Sequence, residues 1–307
     1  MNRFGYCCIS MGINEGLRKK DHILVNRGMI KKTFDEKGLG YVSELILKNL
    51  EDTHKLFDYN IKNNFKVYRM SSDSFPWMSH YDFESLKDYN KILISLKELG
   101  SKVIKNDLRV SFHPGPFNIL GSEREDVVLK TIDELDKHSL IMDMMGLPQT
   151  THYPINIHLN VTTPSHKEAA KRFCDNFIRL KPSTKNRLTI ENDDKPSQYS
   201  VKMLYELVYK QIGIPIVVDS LHYKCHPDDM SWVDTLSLGI STWDTKPLCH
   251  HSSSKKLNED EKVILSAHAD FLYEEFDSCG FDVDVELECK QKDLALVKYL
   301  NDYRIYN

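Results

Sequence analysis

The chain has 307 residues and a formal charge of −4, with 41% apolar and 28% charged residues. That balance fits one large domain spanning 1–307, and no stretch approaches the roughly 20 consecutive apolar residues of a bilayer-spanning helix, so no membrane partner is expected. The acidic charge does not advertise nucleic-acid binding, but carboxylates gathered around divalent cations lower a net charge while leaving a locally positive site.

The first six residues read straight into a strand over 4–10 rather than into a signal peptide, so an intracellular (cytoplasmic) monomer is expected. The seven cysteines form no CxxC pair and read as small buried thiols. A polar, lysine-rich stretch over 15–40 follows and reads as a long rim loop. The spacing of Val42, Leu45, Ile46, Asn49 and Leu50 then predicts one face of a helix within 41–60. Further strands are expected over 65–71, 109–113, 155–160, 187–191, 214–220, 238–243 and 283–288. Helical patterns lie between them over 84–99, 125–145, 167–180 and 200–211, and a second polar loop is expected over 248–260. Strand alternating with helix predicts a parallel sheet, and about eight strands predict closure into an α/β (β/α)8 TIM barrel. An open doubly wound sheet is the main alternative. No GxGxxG follows the first strand and no GxxxxGK[ST] occurs, so no nucleotide cofactor is expected.

The chemistry collects at strand ends. His113 closes Arg-Val-Ser-Phe-His-Pro-Gly, and the pattern recurs at Ile157-His158, at Ile190-Glu191, at Val218-Asp219 with His222, and at Leu287-Glu288. His80 follows the second strand, and His250 and His268 fall in later loops. In a parallel barrel such ends share one rim, and carboxylate with imidazole is a donor set for Mn²⁺, Zn²⁺ or, less well, Mg²⁺. Each residue has a plainer reading. A single histidine is more often a hydrogen-bonding residue than a ligand, Asp219 could cap a helix, and Asn192, Asp193 and Asp194 read as caps of the next helix. His22, His54, His138 and His166 lack the strand-end placement and are assigned to surface or core. The basic clusters at Arg18-Lys19-Lys20, Lys31-Lys32 and Lys255-Lys256 read singly as solvated faces. Two or three divalent cations at one rim suit phosphoryl chemistry, and no serine elbow competes.

The ordered motifs resemble the UV-damage endonuclease family of TIM-barrel repair enzymes. The resemblance runs through Gly5-Tyr6, Tyr68-Arg69-Met70-Ser71-Ser72-Asp73, His113-Pro114-Gly115, Glu191-Asn192-Asp193-Asp194-Lys195, Asp219-Ser220-Leu221-His222, His250-His251-Ser252-Ser253, His268-Ala269-Asp270 and Glu288-Cys289-Lys290. It implies a manganese site related to that of endonuclease IV, with ligands at His80, His113, His158, Glu191, Asp219, His222, His250, His268 and Glu288. Glu191, Asp219, Glu288 and His250 would form the catalytic core. It also implies a damaged double-stranded DNA substrate, cut 5′ of a lesion to leave 3′-hydroxyl and 5′-phosphate. Tyr6, Pro116 and Phe117 would meet that substrate, and Lys290, next to Glu288, reads equally as a substrate-phosphate contact or as a salt-bridge partner of a ligand carboxylate.

Two positions depart from the family pattern. Pro116-Phe117 stands where the family has Gln followed by an aromatic residue, and Leu248 stands where it has a lysine two residues before His250. Lys246 lies two residues from Leu248, where no substitution is assumed. The alternatives are an endonuclease IV-like abasic-site enzyme, a xylose-isomerase-like sugar isomerase, and a lesion-binding relative without catalysis.

Overall fold

Eight short strands close into a parallel barrel in sequence order in the computed structural model, which describes residues 1–305. They are β1 (Arg3–Cys7), β2 (Val67–Met70), β3 (Arg109–Phe112), β4 (Ile155–Ile157), β5 (Leu188–Glu191), β6 (Ile216–Asp219), β7 (Leu248–His251) and β8 (Asp284–Leu287). The ring is sealed by β1 lying beside β8, with Arg3 opposite Asp284 and Tyr6 opposite Leu287.

Side chains alternate across each strand. Outward-facing Phe4, Tyr6, Tyr68, Val110, Phe112, Ile155, Ile190, Ile216, Val218 and Val285 join the helices in one hydrophobic core. The helix Lys31–Lys62 supplies Val42, Leu45, Ile46, Asn49 and Leu50 to this layer, all buried as their spacing predicts. Facing the axis, where barrels usually carry Val, Ile and Leu, this chain is ionic. Arg109 pairs with Asp284 (3.1 Å), Arg69 with Glu286 (2.7 Å), and Ser111 hydrogen-bonds Glu286. One level higher, Thr189 donates to Asn156 (3.0 Å) and Asn156 to Glu191 (2.5 Å).

Two sequence expectations are corrected. The seventh strand is not 238–243, which ends the helix Trp232–Ile240 and the turn after it, but Leu248–His251, inside the stretch expected to be a loop. Ser231 caps that helix, and Gly239 lets it lie against β6, because a Cβ there would come within 2.2 Å of Val218 Cγ2. The true strand, Leu-Cys-His-His, hides its pattern because one face meets a polar axis. Within 15–40, residues from Lys31 onward are helical up to a break at Gly38, whose φ of 61° lies in the left-handed region. No helix among the described residues is long and apolar enough to cross a membrane.

Candidate metal centre

Glu191, at the end of β5 and about 1% exposed, is the hub. Its carboxylate lies 3.1 Å from His113 Nε2, 3.0 Å from His250 Nδ1, 3.4 Å from His222 Nδ1 and 3.6 Å from His158 Nε2. The ends of β3, β4 and β7 deliver His113, His158 and His250, and the first turn of the helix Ser220–Cys225, directly after β6, delivers His222. Asp219, ending β6, is held by Asn192, whose side chain accepts from the Asp219 N–H (2.8 Å) and donates to its carbonyl (3.2 Å). Both readings of Asp219 hold together: Oδ1 caps the helix Ser220–Cys225 by accepting from the His222 N–H (2.7 Å), while Oδ2 is buried without a partner. Glu288 completes the ring, 3.2 Å from His250 Nδ1.

Ligand atoms of His113, His158 and Glu191 lie within 4.8 Å of one another, and so do those of Glu191, Asp219, His250 and Glu288. His222 adjoins both groups through Glu191 and Asp219. His268 sits at the edge, 3.7 Å from the Glu288 carboxylate. An orphaned buried carboxylate oxygen among mixed carboxylate and imidazole donors fits a divalent cation.

Three of the histidines are also oriented as ligands usually are, with one ring nitrogen tied to a backbone acceptor. Nδ1 faces the carbonyl of Pro114 in His113 (3.2 Å), of Asn192 in His222 (2.9 Å) and of Glu288 in His268 (2.6 Å). In His158 it faces the Asp193 carboxylate (3.2 Å).

Electrostatics supports the same picture. Burial disfavours a charged His250, yet Glu191 overrides it and lifts the pKa to about 10; burial pulls His158 down too, but Glu191, with Asp193, takes it to about 9. Burial lowers His113 against the pull of Glu191. Burial would raise Glu191, but His250 and His158 hold it well below the usual carboxylate range. Glu288 is likewise held low against burial, chiefly by Arg69 and His250.

Other expected residues lie elsewhere. Tyr6 faces outward from β1 into the helical layer, fully buried, with its hydroxyl donating to Asn60 (2.7 Å), so it cannot meet a substrate at the rim. His80 joins neither ligand group; it is exposed on a 3-10 turn, with its ring 5.1 Å from Trp77 and 5.9 Å from Phe34. Together with Trp77 and Phe117 it lines a groove of about 640 Å³ beside the rim. Pro116 and Phe117 lie exposed on the loop after β3, with Phe117 88% exposed, and Lys290 is exposed next to Glu288. Lys246 points to the opposite end of the barrel, 3.1 Å from Asp284 and 2.8 Å from Asp282, so it does not replace the family lysine. Asp193 is not a helix cap: Ser200 caps that helix, and Asp193 faces His158.

Residue-by-residue reading overlooked Arg69, Asn156 and Glu286. Their signal was available, since a charged or amide side chain within a strand buried on both faces must have a partner inside the barrel.

The comparisons agree with this geometry. The model of the family described as UV-endonuclease UvdE matches residues 2–307. The UV DNA damage endonuclease of Clostridium perfringens (strain 13 / Type A) is 28% identical over 314 residues, 99% of this chain and 71% of that protein. That of Bacillus cereus (strain Q1) is 28% identical over 312 residues, 98% of this chain and 94% of the relative. The crystal structure of SacUVDE superposes with a TM-score of 0.85 at 27% identity over 100% of both chains. Endonuclease IV from Thermus thermophilus shares the fold, with a TM-score of 0.55 at 14% identity over 98% of this chain and 97% of that one. A match from one end of the chain to the other, on a barrel that superposes throughout, means that this chain belongs to the UV-endonuclease UvdE family.

Proposed function

We propose that the protein is a metal-dependent DNA-repair endonuclease that hydrolyses the phosphodiester 5′ to a lesion, leaving 3′-hydroxyl and 5′-phosphate. The observation that carries this reading is the convergence of Glu191, Asp219, His250 and Glu288, with His113 and His158, on one barrel rim. These residues, with His222 and His268 at the margin, would hold two or three divalent cations, manganese first and zinc or magnesium as alternatives. Bound there, such cations would lower the pKa of a water nucleophile and neutralise charge on the phosphate.

The chain's own contribution is positioning. Asn156 and Asn192 fix Glu191 and Asp219, and the histidines keep their orientation through the acceptors described above. Phe117, exposed beside the rim, offers a face on which an unstacked base can rest. Pro116 has neither an amide side chain nor a backbone N–H, so Phe117 would probe the duplex without a polar neighbour. Lys290 would meet a phosphate beside Glu288.

The test is incision of duplexes carrying a defined photoproduct or an abasic site, by chelator-treated protein with and without added Mn²⁺. Mn²⁺-dependent nicking 5′ of the photoproduct is expected, and Phe117→Ala should weaken action on damaged duplex by about 10–100-fold, as loss of one stacking contact does. Nicking of abasic DNA alone would favour the endonuclease IV-like alternative. If protein with metal verified as bound nicks neither duplex, the reading fails, and retained binding to damaged duplex would then identify a non-catalytic lesion binder.

A further inference from the structure

The groove beside the rim, about 640 Å³, falls within the roughly 300–1,000 Å³ of ligand pockets and is built apart from the metal centre, since no residue of either ligand group lines it. The loop after β3 joins the two places, with His113 in the ligand cluster and Phe117 on the groove wall. Trp77 forms another wall in a conformation that a bulky residue rarely takes, the left-handed region (φ 57°, ψ 29°). Its indole N–H is spent on the Met29 carbonyl (2.9 Å), so what it offers the groove is ring surface. The helix Glu125–Met144 adds Glu134 and Lys130. Glu134 forms no ion pair among the described residues, and burial pushes its carboxyl up even though the Ser79 hydroxyl hydrogen-bonds it. Lys130 is exposed and likewise forms no ion pair among the described residues.

We propose that this groove receives a nucleobase that stood opposite the lesion, stacked on Trp77 and hydrogen-bonded to Glu134, an inference that rests on the endonuclease reading above. A strand whose phosphate is held at the metal centre lies on one side of Phe117. A wedge entering the duplex there sends the partner strand's base to the other side, where the groove opens. Ring surface suits the π-face of any base. A carboxylate accepts from an exocyclic amine, which adenine carries and thymine lacks, and adenines stand opposite a thymine photoproduct. Lys130 supplies a cation for the phosphate that travels with the base. The plainer role, a cleft left where the β2 loop packs on a helix, needs neither an unpaired carboxylate nor a left-handed tryptophan.

The test measures how chelator-treated protein, which leaves the duplex uncut, binds duplexes carrying a thymine photoproduct. Removing the bases opposite the lesion should weaken wild-type binding about 10–100-fold, the worth of a base–aromatic stack, and so should Trp77→Leu on the complete duplex. The two losses should not add: on the duplex lacking those bases, wild type and Trp77→Leu should bind alike. Replacing the opposite adenines by purine, which lacks the exocyclic amine, should cost wild type about tenfold and Glu134→Ala nothing. Full additivity, or wild-type binding indifferent to the opposite bases, would overturn the inference. The second of these needs no variant, so it decides the matter if Trp77→Leu does not fold. A wild-type dimer that Trp77→Leu dissociates would assign the groove to a second copy of the chain and overturn the inference as well. A wild type that neither prefers damaged duplex nor nicks it would instead overturn the endonuclease reading.

Discussion

At the floor of the barrel, Arg3, Arg109 and Lys246 surround Asp284, which has cationic partners at 2.6, 3.1 and 3.1 Å. At the rim, Glu191, Asp219 and Glu288 face His113, His158, His222 and His250, and Arg69 is the permanent cation in contact with that group. The same axis therefore holds a plug whose charges are matched by guanidinium and ammonium, and a cup whose balance depends on protons or on a metal. Arginine keeps its charge at any ordinary pH, whereas histidine gives it up, so the floor is static and the rim exchangeable.

Glu191→Ala should separate the two ends most sharply. Removing the hub should abolish measurable incision and weaken Mn²⁺ or Zn²⁺ binding beyond the roughly 10–100-fold that outer partners cost, as calorimetry and a nicking assay would show. Retained tight binding would remove Glu191 from the site. Arg109→Met should act in the opposite way. It leaves Asp284 short of a partner and several carbonyls undonated, so a denaturant melt should show a loss of about 3–5 kcal/mol. Metal affinity should stay within about threefold, as for distant sites; a larger change would mean that floor and rim are coupled.

Without metal, the melting temperature should depend on pH in a direction set by the rim. His158 and His250 have folded pKa values of about 9 and about 10 against an ordinary 6.5, so the stability they contribute is complete below 6.5 and is lost as pH rises through those values. Glu286 and Asp284, both held near about 2, contribute stability above their ordinary 4.5 and 3.8 and lose it as pH falls toward 2. Added Zn²⁺ should protect the alkaline limb, because metal takes the place of the protons. A metal-free alkaline limb that does not fall would contradict this account. Lys246→Ala should have the smallest effect, under about 1 kcal/mol and with no change in metal binding. Loss of metal would return Lys246 to the rim.

Legibility varied with how local the cause was. The helix face Val42 to Leu50 and the strand ends at His113, Glu191 and Asp219 could be read because period and turn chemistry are written in adjacent residues. β7 could not. Leu248-Cys249-His250-His251 lacks apolar alternation because His250 faces charged groups from four other strands, while Leu238-Gly239-Ile240 mimics a strand although Gly239 is there to admit Val218. Asp193 shows the same limit: its neighbours suggest a cap, and only the end of β4 supplies His158.

Sequence by itself determined that strands and helices alternate, that metal-capable side chains collect at strand ends, and which family motifs the chain carries. Each of these follows from residues a few positions apart. Tertiary structure alone decided which side of each strand faces the axis. Strand parity has no meaning until register and closure define an inside, and that step sent Tyr6 into the helical layer, Lys246 to the floor and His80 to the groove wall. It also set Glu286 and Arg69 against His250, a cluster drawn from three strands that no local pattern announces.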